Sequence, residues 1–287
     1  MLSGAEATRL GGRGSRVSID FPEGPEIALP RGDVTEGVVR IGDTVRRPHQ
    51  DASPLVAEYL AHLESAGFRG APRYLGRDAQ GRDVLTYLDG IVAGDPVDDW
   101  ARADDVLSSV AQLLRRLHDA SAGWQPSTPI EVPEGRPVAT FPVGEERLVA
   151  HRDVTPQNVV FRDGAAVGLV DFDLTGWTTR SVDLANTAMH WVPLADPADR
   201  APGYADIDVG ARWRSMLDAY GHDAMTPQLL VDGARLRFEG GFASMKWAAE
   251  HYGGGWQRMW DEGVGDVIRR RVAWFEREHD ALLAALD

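Results

Sequence analysis

The stretch from His151 to Asp173 restricts this chain more than any other part of it. It begins His151-Arg152-Asp153-Val154-Thr155-Pro156-Gln157-Asn158 and ends Asp171-Phe172-Asp173. Between these, Val159–Phe161 and Val167–Val170 are short runs of β-favouring residues on either side of Asp163-Gly164. That dipeptide suits the two-residue hairpin turns whose central residues need positive φ. With the turn centred there, facing positions sum to about 327, so Asn158 and Asp171 come out at the same open end. Two residues of strand span roughly 6–7 Å, close enough for an amide oxygen and a carboxylate to share one ion. Asp153 lies just upstream, on the loop entering the hairpin. One carboxylate to take a proton from a hydroxyl, plus an amide and a second carboxylate to fix magnesium against phosphates, is the set that phosphoryl transfer requires.

Composition allows coincidence to be weighed. The chain has 8 His, 29 Asp and 2 Asn in 287 residues, from which the spacing H-x-D-x4-N is expected by chance roughly 0.005 times. A rival reading gathers His151, Asp153, Asp171, Asp173 and His190 around a hydrolytic metal centre, but it leaves Asn158 and the hairpin without a role.

A chain of 287 residues sits at the length where one core commonly divides in two. The pattern predicts an α+β organisation, with a β-rich part over residues 1–89 and a mainly helical part over residues 90–287. In the first part, β-compatible runs at 16–20, 26–30, 37–41 and 43–47 precede a helix over 53–66. Ser53 is the expected N-cap of that helix, Pro54 its first residue and Gly67 the residue past its end. Strands at 72–77 and 83–88 follow. Residues 31–37 are a candidate phosphate-covering loop, with an ordinary hairpin turn as the alternative. In the second part, Val106, Val110, Leu113, Leu114 and Leu117 form a helical stripe. Residues 126–142 read as a proline-rich connection, and further helices are expected at 183–191 and up to Leu286.

There is no apolar run of eighteen residues and no signal-like N-terminus, so a cytoplasmic protein without a membrane partner is expected. The absence of cysteine excludes disulfides and thiolate chemistry. A net charge of −14 argues against a nucleic-acid partner, whose phosphates must be neutralised by basic residues. Residues 1–89 carry a balance of only −2 and residues 90–287 one of −12. An acidic cleft would draw a cationic acceptor; a merely solvated acidic surface explains the split equally well. The basic residues are 29 Arg and the single Lys246, so any cation holding phosphates in the first part is an arginine.

With these residues in view, the chain resembles the aminoglycoside phosphotransferase and choline kinase family, small-molecule relatives of the protein kinases. The likeness rests on GDTVRRP (42–48), GRDVLTYLDG (81–90), LLRRLHDAS (113–121), HRDVTPQNVVFRDG (151–164), GLVDFD (168–173) and DLA (183–185). It implies a two-lobed protein-kinase-like fold, with a small N-lobe of antiparallel sheet plus helix over 1–89 and a larger, mainly α-helical C-lobe over 90–287. It also implies Mg2+-dependent transfer of the γ-phosphate of ATP or GTP to a small-molecule hydroxyl. Asp153 would be the catalytic base, Asn158 and Asp171 the magnesium ligands, and His151 and Asp173 their support. Asp183 resembles the buried carboxylate that clamps the catalytic loop, a helix N-cap being its plain alternative. Arg46 best matches the phosphate-holding cation, with Arg47 its rival because strand alternation lets only one of them face inward. Glu58 is the candidate partner of that arginine, an exposed carboxylate being its plain alternative, and Thr86-Tyr87-Leu88 the hinge beside the base. The acceptor is an antibiotic or, alternatively, a metabolic alcohol such as choline, a sugar or an amino sugar; a nucleotide-binding scaffold without transfer is the third reading. Trp177, Trp191, Asp196, Trp213, Trp247, Glu250, His251, Trp256 and Trp260 are candidate walls of its pocket, a core or surface place being the plainer alternative for each.

Overall fold

Short strands punctuated by glycine and aspartate turns build the N-terminal part into one antiparallel sheet. In the computed structural model the described residues are 21, 23–29 and 37–287; the strand expected at 16–20 and the loop residues 31–36 lie outside them. The strands are β1 (Ile27–Ala28), β2 (Val39–Ile41), β3 (Thr44–Arg47), β4 (Tyr74–Arg77) and β5 (Asp83–Thr86), in the order β1-β2-β3-β5-β4. β3 pairs with β5 from Thr44 opposite Thr86 to Arg47 opposite Asp83.

Helix α1 (Ser53–Ser65) covers this sheet with a stripe of Leu55, Val56, Tyr59, Leu60 and Leu63, all buried. Gly67, at φ +79°, ends it, and Phe68 N–H closes back on the Leu63 carbonyl at 2.9 Å. This is the glycine-terminated stop that satisfies otherwise orphaned helix carbonyls. The start differs from expectation. Ala52 occupies the cap position, and the Ser53 hydroxyl instead accepts from Gln50 N–H at 3.0 Å and donates to Asp83. A buried carboxylate outcompetes the helix end for that hydroxyl because an ionised acceptor makes the stronger hydrogen bond.

The C-terminal part is helical apart from two small two-stranded units. Its helices are α2 (Asp104–Ser121), α3 (Arg180–Trp191), α4 (Val209–Tyr220), α5 (Pro227–Glu239), α6 (Gly241–Tyr252), α7 (Gly254–Asp261) and α8 (Val264–Leu286). The expected stripe on α2 is wholly buried and packs on α4, while α3, α5 and α8 stack in turn. Residues 126–142 form no regular element. Among the described residues, no helix is long and apolar enough to cross a membrane.

β6 (Arg147–Ala150) pairs with β9 (Gly176–Thr179), and β7 (Val159–Arg162) with β8 (Ala165–Leu169). The β7–β8 turn has Asp163 at φ +53° and Gly164 at φ +79°, the two consecutive positive values of the tight hairpin turn expected there. Chain connections lock this hairpin between the two parts. Leu169 N–H reaches the Gly70 carbonyl at 2.8 Å, and Ile91 exchanges hydrogen bonds with Phe161 at 3.0 and 2.7 Å. Close approach demands glycine at position 90: at φ +149°, a Cβ there would lie 2.5 Å from Val160 Cγ1 and 2.6 Å from the Phe161 oxygen. Gly90→Ala is therefore expected to destabilise the protein by about 2 kcal/mol or more, read as a fall in the urea midpoint; an unchanged midpoint would refute the tightness of this crossing.

Candidate active site

The loop between β6 and β7 is held from both sides. His151, fully buried, donates Nε2–H to the Val170 carbonyl at 2.8 Å, while its Nδ1 accepts from Asp153 N–H at 3.2 Å. Both ring nitrogens are committed, which selects the Nε2–H tautomer, and burial pushes the ring's pKa down, keeping it neutral. The ring also packs on Phe172 at 4.4 Å. His151 therefore links the Asp153 and Asp171 segments without itself being available to a metal. Arg152, between them, stands at φ +64°, a conformation uncommon for non-glycine residues that surrounding structure must enforce.

Asn158 follows from the hairpin register. β7 and β8 pair Val159 with Leu169, and Val170 N–H bonds the Asn158 carbonyl at 2.9 Å, so Asn158 and Asp171 emerge side by side. The Asn158 amide nitrogen donates to the Asp153 carboxylate at 2.8 Å and to its carbonyl at 2.9 Å. Its oxygen is left as the acceptor end of the amide.

Asp171 is also in the left-handed region, at φ +62°. Its Oδ1 is buried and has no hydrogen-bond partner, and burial together with the neighbouring Asp173 charge raises its pKa to about 6. An orphaned carboxylate oxygen beside an amide oxygen is a hard-oxygen donor set that fits Mg2+, which takes one or two protein carboxylates and leaves its other positions to waters and phosphates. The rival five-residue metal centre is not formed: among the described residues, no three His, Asp or Glu side chains cluster around a common point.

The structure separates the two candidate arginines on opposite faces of β3. Arg47 reaches the site, with its guanidinium 3.6 Å from Asp171 Oδ1 and in direct contact with Asp173. Arg46 points the other way, 1 % exposed, toward the Thr44 hydroxyl and Asp78 at 3.6 Å. The expectation that Arg46 faces the site is thus corrected in favour of Arg47. Glu58 is not its partner either. That carboxylate accepts from the backbone N–H groups of Ser127 at 2.5 Å and Thr128 at 2.8 Å, and these bonds, those to Thr128 foremost, lower its pKa to about 2. In place of a glutamate from α1, Asp83 organises this corner, bonded to Ser53, His49 and Tyr74.

Thr86, Tyr87 and Leu88 run from the sheet to the hairpin. Thr86 N–H bonds the Arg73 carbonyl at 3.0 Å and Tyr87 N–H the Asp43 carbonyl at 2.8 Å. Arg40 stacks on the Tyr87 ring at 3.7 Å. Leu88 packs so close to Gly168 that a Cβ there would meet Leu88 Cδ1 at 2.9 Å.

Asp183 is buried at 1 % exposure, yet it neither caps α3, which Thr179 does, nor holds the loop by its carboxylate. It accepts from His118 Nε2 at 3.0 Å, and His118 Nδ1 meets the Tyr220 hydroxyl at 2.7 Å. Residues not anticipated from the sequence hold the loop instead. Asn186 donates to the Arg152 carbonyl at 2.9 Å and Trp191 Nε1 to the Val154 carbonyl at 2.8 Å. The one available signal was rarity, since Asn186 and Asn158 are the only asparagines in the chain. Trp191 and Trp213 are fully buried core residues and not pocket walls.

Comparison with known proteins identifies the family and the fold. Residues 131–217 match the family described as the phosphotransferase enzyme family (APH). The trifolitoxin immunity protein of Rhizobium leguminosarum bv. trifolii is 33 % identical over 203 residues, covering 68 % of this chain and 74 % of that protein. Among solved structures, a choline/ethanolamine kinase family protein from Mesorhizobium loti superposes with TM-score 0.59 at 16 % identity over 92 % of each chain. An amicoumacin kinase, solved with AMP-PNP and Ca2+, gives TM-score 0.54 at 11 % identity over 88 % of each chain. These two likenesses concern the fold, which is that of the protein-kinase-like small-molecule kinases.

The elevated Asp171 pKa has a measurable consequence. A carboxyl held above its unfolded value contributes stability that is present below about pH 4 and is lost as pH rises through about 6. Asp171→Asn is expected to flatten the fall in melting temperature between pH 4 and 7 relative to wild type. Parallel profiles for the two proteins would mean that Asp171 is not strained by its surroundings.

Proposed function

The chain belongs to the phosphotransferase enzyme family, and from that premise we propose that it transfers the γ-phosphate of a nucleoside triphosphate to a hydroxyl of an antibiotic-like small molecule. That it is a phosphotransferase with an alcohol group as acceptor follows from the family. The assignment of roles is ours, and it rests above all on the buried Asp171 Oδ1, which has no hydrogen-bond partner and only Arg47 at 3.6 Å, at the same hairpin end as Asn158.

In this reading, Asp153 accepts the proton of the attacking hydroxyl, and the Asn158 amide and His151 keep its carboxylate aimed. Asn158 and Asp171 hold Mg2+, which when bound neutralises charge on the phosphates. Asp173 and Asp183 support the site, the first through Arg47 and the second through His118. Arg47 is the cation for the nucleotide phosphates. Its planar fork matches phosphate oxygens two at a time and so serves where the family's usual lysine would act as a point charge. Residues 1–89, with the Thr86–Leu88 segment beside the base, make up the nucleotide-binding lobe; residues 90–287 make up the catalytic and acceptor-binding lobe. The nucleotide is ATP or GTP.

The antibiotic reading is supported by the identity to an immunity protein. A metabolic alcohol kinase is the second reading, supported by the superposition on a choline/ethanolamine kinase family member. A scaffold that binds nucleotide without transfer would not need Asp153, Asn158 and Asp171 kept together in working order.

Phosphate transfer to a panel of antibiotics, peptides, choline and sugars, followed by nucleotide consumption, separates these readings. Asp153→Ala is expected to lower the rate by at least about 100-fold while nucleotide affinity stays within about twofold; near-normal transfer would remove Asp153 from the mechanism. Arg47→Ala is expected to raise the nucleotide KM at least about tenfold, the loss of a charged phosphate contact. Arg46→Ala, by contrast, is expected to lower the melting temperature with KM little changed. The opposite pattern would reverse the β3 assignment.

A further inference from the structure

Three half-buried arginines, two of them tied to the segment of the proposed base, lack the carboxylate partners that several other arginines in this chain have. Arg152 directly precedes Asp153, and its guanidinium lies against Gly176, where a Cβ would sit 2.5 Å from Nη1. Arg237, in the last turn of α5, donates Nε–H to Asn186 Oδ1 at 2.7 Å, and Asn186 in turn donates to the Arg152 carbonyl at 2.9 Å. Arg271, on α8, lies 5.9 Å from the centre of the Phe238 ring, and its Nε is buried with no hydrogen-bond partner. Among the described residues, none of the three has a carboxylate within the 4.0 Å of an ion pair. By contrast, Arg115, Arg180, Arg212 and Arg270 each hold an aspartate at 3.0 Å or less.

Arg237 feels the other two. Burial first, then Arg271 and Arg152, push the Arg237 pKa down to about 10, and burial does the same to Arg271. Burial first, then Arg271 and Arg237, drive the His190 pKa down to about 3, so it stays neutral. The nearby carboxylates have other duties: Asp183 binds His118, Asp199 binds Arg270 and Asp153 binds Asn158. Guanidinium groups do not shed their proton in proteins, and a partly buried charge with no counterion in reach loses hydration without full compensation. An anion arriving at the site would complete the arrangement.

We propose that the acceptor carries an anionic group, a carboxylate or a phosphate, which Arg271 and Arg237 bind while its hydroxyl lies at Asp153. This rests on the phosphotransferase reading above and narrows its acceptor class. The anion is not the nucleotide's: the phosphate grip assigned there is Arg47 on β3, whereas Arg237 and Arg271 come from α5 and α8. The surplus acid of residues 90–287 is an average over that whole part and does not by itself set the charge of the acceptor.

The test is calorimetric titration at constant ionic strength, with the protein saturated by Mg2+ and a non-hydrolysable ATP analogue. The probes are N-acetyl-L-serine, its uncharged amide, and glycerol 3-phosphate. At least one anionic probe is expected to bind saturably and at least tenfold more tightly than the amide; N-acetyl-L-serine alone would assign a carboxylate, and glycerol 3-phosphate alone a phosphate. Arg271→Gln is expected to cut that affinity at least tenfold with the affinity for the ATP analogue unchanged. Arg271→Lys, which keeps the charge, should retain most of it, and equal melting temperatures would exclude a folding defect. Failure of both anions to bind, equal binding by the amide, or full affinity in Arg271→Gln would overturn the inference. Binding of the magnesium nucleotide and transfer to any hydroxyl test the underlying reading separately, so the two can fail independently.

Discussion

The turn at Asp163-Gly164 is the constraint on which the arrangement of the site depends. Both residues take positive φ, which matches the twist of a two-residue hairpin and leaves β7 and β8 little freedom to slip. A slip of one residue would turn every side chain to the other face. It would also part Val170 N–H from the Asn158 carbonyl and His151 Nε2 from the Val170 carbonyl. The hairpin is pinned in turn by Gly70 and Ile91, so the sheet, the crossing at Gly90 and the helical part all meet on one short unit.

What could be read from the sequence divides along this local versus long-range line. The hairpin turn, the buried stripes of α1 and α2 and the glycine stop at Gly67 are properties of neighbours in sequence, and the chain shows them as expected, except that a bulge between Val160 and Phe161 puts Val159 opposite Leu169 instead of Gly168. Arg46 and Arg47 mark the limit. Alternation says that they face opposite ways, but which face is the site depends on Asp78 on one side and Asp173 on the other, both distant in sequence. Ser53 and Glu58 fail for the same reason. Each has a sound local role, helix cap or exposed carboxylate, and each is claimed by a partner from elsewhere: Asp83 for the first, the 127–128 backbone for the second. Asn186 and His118 carry no motif of their own, because clamping a backbone carbonyl or pairing with Asp183 requires only a donor in the right place.

Charge shows the same division more sharply. A net −14 for the chain is a statement about surface potential, solubility and long-range attraction, and it is silent on the interior. Low polarity and short distances there let a few groups outweigh many solvated ones. Arg152, Arg237 and Arg271 thus gather positive charge within the more acidic part of the molecule, and Arg271 and Arg237 add to the burial that keeps His190 neutral.

The two sides of Asp153 and Asp171 are therefore electrostatically incomplete in opposite senses. On the sheet side, burial first and then repulsion from Asp173 raise the Asp171 pKa, and the single charge of Arg47 offsets only part of this, leaving it at about 6. On the α5–α8 side, three guanidiniums lack carboxylates. A bound divalent cation would satisfy the first and free Arg47 for phosphate oxygens, while an anion would satisfy the second. Neither excess can be relieved by pairing one with the other, because the Asp153–Asn158 hydrogen bond and the His151 brace hold the intervening loop in place. The protein therefore leaves uncompensated charge where ligands are to bind, and the stability it forgoes in the free state returns as binding selectivity when charges of the right sign arrive together.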